Sequence, residues 1–215
     1  MKKIILLLTL ILCIAVGSKE LSKLEKKEAL KQFIVFQEAI KNRDDKVLAS
    51  MVDFSGKSIE EEVSIVFFLE LNGEKLDGIE YGMPLTKKII SSNIERICKN
   101  LEVLILIKVE PDTLKIIDYY KDGATDEEKK RKYIFDENEQ RYYYKDKNNN
   151  KKYLSEARIW DDEISLNFME ENLIGYSTMT PNKLTPRIPD GEGGIVYKFV
   201  FENGKLKLRA LYFED

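Results

Sequence analysis

The chain has 215 residues, with 35 lysines and arginines, 38 aspartates and glutamates and no histidine, for a formal net charge of −3. That mildly acidic balance, with both signs interleaved, argues against a nucleic-acid partner, which wants a basic face. Without histidine the commonest general base and transition-metal ligand is gone, so serine–histidine and cysteine–histidine nucleophilic schemes are excluded and a zinc site is not expected.

Met1-Lys2-Lys3 gives a positive start, Ile4 to Val16 is a nearly unbroken apolar run, and Ala15-Val16-Gly17 sets small residues ahead of Ser18. Charged, apolar and small-residue regions in that order are the layout of a secretory signal peptide. The run is shorter than the ~20 apolar residues a transmembrane helix needs. The reading is a signal peptide over 1–17 and a single domain over 18–215, exported to a bacterial periplasm or the extracellular space. Cys13, with Leu10 three positions before it, allows a lipoprotein alternative. Leu12 is not small, however, and Ile14-Ala15-Val16 carries the apolar run past the cysteine, so plain export is preferred. Cleavage leaves only Cys98, hence no internal disulfide. Cys98 falls with Ile94, Ile97 and Leu101 on one stripe at helical spacing and reads as a small buried hydrophobe. No further apolar run is long enough to span a membrane.

Ser22-Lys23-Leu24-Glu25 is a capping box, so a helix is expected from there to about Asn42, with Leu30, Phe33, Ile34, Phe36 and Ile40 on its apolar face. Asp44 or Asp45 can cap a second short helix carrying Val47, Leu48 and Met51. Glu62 to Leu71 alternates as a strand, and Asn72-Gly73 follows as a turn. Thr86 to about Asn100 is expected as one helix. Val103 to Val109 is a β-rich run stopping before Pro111, and Leu114 to Tyr120 resumes as a strand. Lys121 to Arg131 reads as a charge-dense loop. Short strands are then expected over Lys132–Phe135, Arg141–Lys145, Lys152–Trp160, Ile164–Met169 and Leu173–Met179. Pro181 to Gly194 is a long irregular connection suited to a rim loop.

The last hairpin carries the cleanest local signal. Asn203-Gly204 is a preferred two-residue turn. It sets Phe201 opposite Leu206, Phe199 opposite Leu208, Tyr197 opposite Ala210 and Ile195 opposite Tyr212, all apolar. On the other face Lys198 is expected to meet Arg209 unfavourably. The fold class that follows is α+β: N-terminal helices packed on a curved, mostly antiparallel sheet.

Two stretches resemble the nuclear transport factor 2-like superfamily, a cone of helices wrapped by a bent sheet. One is Phe33-Ile34-Val35-Phe36-Gln37-Glu38-Ala39-Ile40-Lys41-Asn42-Arg43-Asp44, running into Leu48-Ala49-Ser50-Met51-Val52-Asp53-Phe54. The other is Tyr197 to Leu208. The resemblance implies a cone-shaped fold; roughly residues 110–190 depart from its pattern, holding more strands and loops than a minimal cone needs, as an insertion or extended sheet. It does not fix an activity, because the superfamily holds isomerases, dehydratases, ligand carriers and non-catalytic modules.

Asp146-Lys147-Asn148-Asn149-Asn150 begins like a calcium loop, but Lys151 stands where glycine is needed and Ala157 where the bidentate glutamate should be, so a polar turn is expected. Asp161-Asp162-Glu163 reads as a solvated turn. Glu156, Arg158 and Trp160 alternate and would share a strand face, placing the single tryptophan among charges. Tyr142, Tyr143 and Tyr144 would divide between core and rim. Together Trp160, Arg158, Glu156, Tyr142 and Tyr144 make the expected ligand-binding wall, on the concave sheet face. The expected function is an exported, non-catalytic binding or interaction module using a cone pocket or sheet face, with no metal and no cofactor. Its partner would be a small molecule or a protein, a homodimer through the sheet included. The alternatives are a cone-type lyase or isomerase using a Tyr/Asp proton-transfer site, or a surface lipoprotein of structural role.

Overall fold

The computed structural model describes residues 20–54, 86–154, 160–181 and 194–214. The signal-peptide segment, the expected strand Glu62–Leu71 with its Asn72-Gly73 turn, and residues 182–193 of the expected rim loop lie outside the described residues. The fold is α+β, as expected. Helix α1 (Lys23–Asn42) opens on the capping box: the Ser22 hydroxyl accepts from the Glu25 amide, and the Ser22 amide donates to the Glu25 carboxylate at 2.8 Å. It ends where Arg43 turns left-handed at φ 54°, letting the Asp44 amide reach the Ala39 carbonyl at 2.9 Å. Asp44 then caps α2 (Asp45–Ser50) by accepting from the Lys46 and Val47 amides. One acidic turn thus stops one helix and starts the next.

The helix expected over Thr86–Asn100 is two, α3 (Lys87–Ser92) and α4 (Ile94–Leu101), separated at Asn93. Asn93 leaves helical backbone at φ −127°, and its side-chain amide bonds back to the Ile89 carbonyl. The β-rich run Val103–Val109 is also corrected. A 3-10 helix, Glu102–Leu106, precedes a short strand β1 (Lys108–Glu110). Leu101, Leu104 and Ile107 recur every third residue, which a 3-10 turn stacks on one side, and all three are buried. Gln37 of α1 fixes that turn: its amide donates to the Leu104 and Ile107 carbonyls at 2.7 and 2.8 Å.

β1 pairs with β2 (Lys115–Ile117) as a two-stranded sheet. The expected strand Leu114–Tyr120 breaks at Asp118, whose carboxylate accepts from the Leu166 amide at 3.1 Å, and β3 (Tyr119–Lys121) joins a different sheet. That main sheet has five antiparallel strands in the order β10-β9-β8-β7-β3, with β7 Trp160–Met169, β8 Asn172–Pro181, β9 Gly194–Glu202 and β10 Lys205–Glu214. A third sheet, order β4-β5-β6, comprises Ile134–Asp136, Arg141–Lys145 and Lys151–Tyr153. Among the described residues no helix is long and apolar enough to cross a membrane.

Helix α1 lies on the main sheet. Phe33 and Phe36 meet Phe199 edge-on, with ring centroids 5.5 and 5.1 Å apart, and all three are fully buried. Leu104 seats over Gly175 of β8, where an added Cβ would come within 3.3 Å of its side chain, so the glycine lets the 3-10 turn approach the strand without displacing Leu104. The closing hairpin keeps the expected Phe201–Leu206 and Phe199–Leu208 pairs, but a bulge between Leu208 and Ala210 shifts the rest. Tyr197 faces Leu211 instead of Ala210, and Ile195 faces Phe213 instead of Tyr212. The extra residue, Arg209, turns to Asp53 at 2.8 Å and Glu202 at 3.0 Å, so Lys198 lies opposite Ala210 and the expected charge clash does not arise.

At Leu206 and Leu208 the outer edge of β10 is closed within the chain. The Leu206 amide donates to Gln32 at 2.8 Å, Leu208 donates to the Met51 carbonyl, and Asp53 donates to the Leu208 carbonyl. These contacts occupy groups an edge strand would otherwise offer to a second chain.

Because Phe199 is enclosed by two aromatic rings, Phe199→Ala is expected to cost ~3–5 kcal/mol in urea unfolding, and a loss under about 1 kcal/mol would show the contact to be peripheral.

Candidate functional site

β3 and β7 are direct neighbours, with Lys121 opposite Asp162, yet residues 122–159 separate them in sequence. The chain leaves the main sheet between two paired strands, builds the three-stranded sheet, and returns. The exit is anchored by Asp161, which is buried at 6 % exposure and accepts from the Tyr120 hydroxyl at 2.7 Å and the Gly123 amide at 2.9 Å. Within the expected charge-dense loop Thr125 and Glu128 form a capping box on the short helix α5 (Asp126–Lys129). The buried residues of the excursion, Ala124, Asp136, Tyr142, Tyr143 and Leu154, lie outside the main core cluster.

The register Ile134–Tyr143–Tyr153 defines one face of the small sheet, which also carries Asp136, Arg141, Lys145 and Lys151. Asp136 is its hub. One carboxylate oxygen accepts from Lys151 Nζ at 2.5 Å and the Tyr153 hydroxyl at 3.0 Å, and the other accepts from the Asn138 amide. Donation by Lys151 first, then by Tyr153, pulls the Asp136 carboxyl down to about 2. Lys151 lies 4.7 Å from the centroid of the Tyr143 ring, and Arg141 lies 5.2 Å from that of Tyr153. On the opposite face Arg131 sits 4.4 Å over Tyr144, which also meets Tyr133 edge-on, while Phe135 packs against Tyr142. Three cations of this segment, Arg131, Arg141 and Lys151, are thus held over rings.

The expected site residues do not gather on one surface. Trp160 starts β7 opposite Pro181, in the main sheet. Tyr142 and Tyr144 belong to β5 of the small sheet, the first buried and the second half-buried. Arg158 and Glu156 lie outside the described residues. The expected strand Lys152–Trp160 is not one strand, since its two ends pair in different sheets. Asp161, Asp162 and Glu163 are not a turn but part of β7, where alternation separates the buried Asp161 from Asp162. The calcium-like stretch is a polar turn: Asp146 accepts from the Asn148 and Asn150 amides at 2.9 Å each, and Asn149 is left-handed. Among the described residues no group of three or more carboxylates and cysteines could hold a metal ion. Cys98 is fully buried, and desolvation pushes its thiol up to about 11, which suits packing rather than reactivity.

Tyr120 and Asp161 are the one Tyr/Asp pair of the acidic strand that sequence could not select. The hydrogen bond to Asp161 pushes the exposed phenol up to about 12, so at neutral pH it is a donor and not a base. A groove of about 400 Å³ lies on the closing hairpin, with Lys205, Lys207 and Arg209 beside Val200, but its Arg209 is already paired with Asp53 and Glu202.

Sequence reasoning missed the small sheet as a unit, although composition marks it. Residues 129–153 hold nine basic and four acidic residues and five of the eleven tyrosines. Compared with known protein families, curated proteins and solved structures, the chain matches none.

The Asp136 network gives the small sheet a pH signature. A carboxyl held at about 2 when folded returns to ~3.9 when unfolded. Its stabilisation is therefore complete above pH ~4 and disappears as pH falls through about 2. NMR signals of Tyr143 and Lys151 should lose dispersion across that window, and Asp136→Asn should remove the transition while weakening the sheet at neutral pH. An unchanged acid profile in Asp136→Asn would show that the hub is not Asp136.

Proposed function

We propose that this chain is an exported, non-catalytic binding module whose contact surface is the small tyrosine-rich sheet projecting between β3 and β7. The observation that carries the reading is the excursion itself. Two strands that pair directly could be joined by a two-residue turn, yet the chain spends 122–159 between them on a sheet whose buried side chains take no part in the main core. Long insertions at such positions are characteristically functional. Packing on the helix side of the main sheet supports a surface over an internal pocket, since Phe33, Phe36, Leu104 and Phe199 fill that space. Export rests on the order Met1-Lys2-Lys3, Ile4–Val16 and Ala15-Val16-Gly17. Kinship with the nuclear transport factor 2-like superfamily rests on the two leading helices and the closing hairpin, and it leaves the activity open.

The test is an excision. Replacing residues 122–161 by Asn-Gly would join Lys121 to Asp162, which already face each other. The chain is expressed with its leader and recovered after export; N-terminal sequencing should begin at Ser18. Full-length protein is expected to co-sediment with bacterial envelope fragments. The excised chain should keep a cooperative melt and lose most of that co-sedimentation. Equal co-sedimentation by a folded excised chain would reject the small sheet as the contact surface.

A further inference from the structure

The excursion differs from the rest of the chain in sign. Residues 129–153 carry nine basic and four acidic residues, net +5, so the other residues together carry −8 to give the chain's −3. Three of these cations are held over rings: Arg141 over Tyr153, Lys151 over Tyr143 and Arg131 over Tyr144. Lys145 and Lys152 extend the array, both exposed. Among the described residues no carboxylate is within ion-pair range of Arg141 or Lys145. Lys151 is tied to Asp136 and Arg131 to Glu127 at 3.8 Å, which fixes their position on the small sheet.

The two faces matter for what can bind. Arg141, Lys145 and Lys151 project from one face, and Lys152 and the Arg131–Tyr144 pair from the other. A flat anionic surface, such as a membrane, would engage one face only. A flexible polyanion can follow both. Single-stranded nucleic acid is recognised by bases stacking on open aromatic faces, and here Tyr143, Tyr144 and Tyr153 each carry a cation while Tyr142 is buried against Phe135. What remains on offer is a set of ring-held cations suited to anionic groups on a polymer without bases.

We infer that the small sheet binds a linear acidic polysaccharide, its carboxylate or sulfate groups paired with Arg131, Arg141, Lys145 and Lys151. This inference rests on the proposed role of the small sheet as the contact surface. The recognition is electrostatic and therefore sensitive to salt. It also accounts for a basic stretch, net +5 over residues 129–153, inside a chain of net −3.

The experiment measures binding of the mature chain to heparin and to alginate by calorimetry at 50 and 200 mM salt. Affinity should fall roughly tenfold or more between the two, as for other polyanions that release counterions. Arg141→Gln combined with Lys145→Gln should weaken binding at least fivefold without changing the melt. Lys205→Gln combined with Lys207→Gln, on the main-body hairpin, should leave it unaltered. No binding to either polysaccharide would overturn the inference, even if the envelope co-sedimentation above holds and keeps the small sheet as a contact surface for something else. Equal loss from the two double variants would overturn the assigned location. Tighter binding to oligo-dT, or to vesicles containing anionic phospholipid, would overturn the choice of polymer in favour of nucleic acid or membrane.

Discussion

The contact on which the rest of the structure depends is the meeting of α1 with β9. Phe33 and Phe36 present their rings edge-on to Phe199, and all three are sealed from water. Edge-to-face geometry adds to the burial of three large side chains. The contact fixes which side of the main sheet faces inward, and therefore which residues of β8 and β10 face the core. Gln37, one turn beyond Phe33 and next to Phe36 on the same helix, then holds the 3-10 turn that carries Leu104 onto Gly175. A single helix thereby orders the hairpin, the turn and the sheet centre.

Around this body the chain handles its exposed elements unevenly. The first part of the β10 edge, at Leu206 and Leu208, is closed by Gln32 and by the backbone of Met51 to Asp53. The β3 edge, at the other end of the sheet, is only three residues long. The small sheet that follows relies little on apolar burial. It is organised by Asp136, by cations over rings and by the Asp146 turn. Such a construction, with Tyr142, Tyr143 and Leu154 as its buried apolar side chains, has weaker support than the phenylalanine-centred body.

The sequence was most informative where local chemistry and long-range packing agreed. The capping box at Ser22 and Glu25, the acidic turn at Asp44, the strand Arg141–Lys145 and the Asn203-Gly204 turn each stand where local signals place them. It failed where tertiary contacts outvote periodicity. Val103 to Val109 looks β-rich, but its burial at every third residue and the grip of Gln37 select a 3-10 turn. The hairpin register fails beyond Leu208 because Arg209 finds Asp53, a partner 156 positions away that no local pattern can announce. The site was only partly legible. The tyrosine cluster is plain in the sequence, but its assignment to a sheet separate from Trp160 is decided by strand pairing. What could have been noticed is the charge: a +5 stretch inside an acidic chain.

The central claim is that a phenylalanine-centred body and a separately organised small sheet share one chain. Native-state hydrogen exchange tests it most directly. Amides of α1 and β9 should exchange only through global unfolding, whereas those of β5 should exchange through a smaller opening that leaves the body intact, at a free energy lower by about 2 kcal/mol or more. If β5 exchanges at the same free energy as β9 and with the same denaturant dependence, the two form one cooperative unit and the account is wrong.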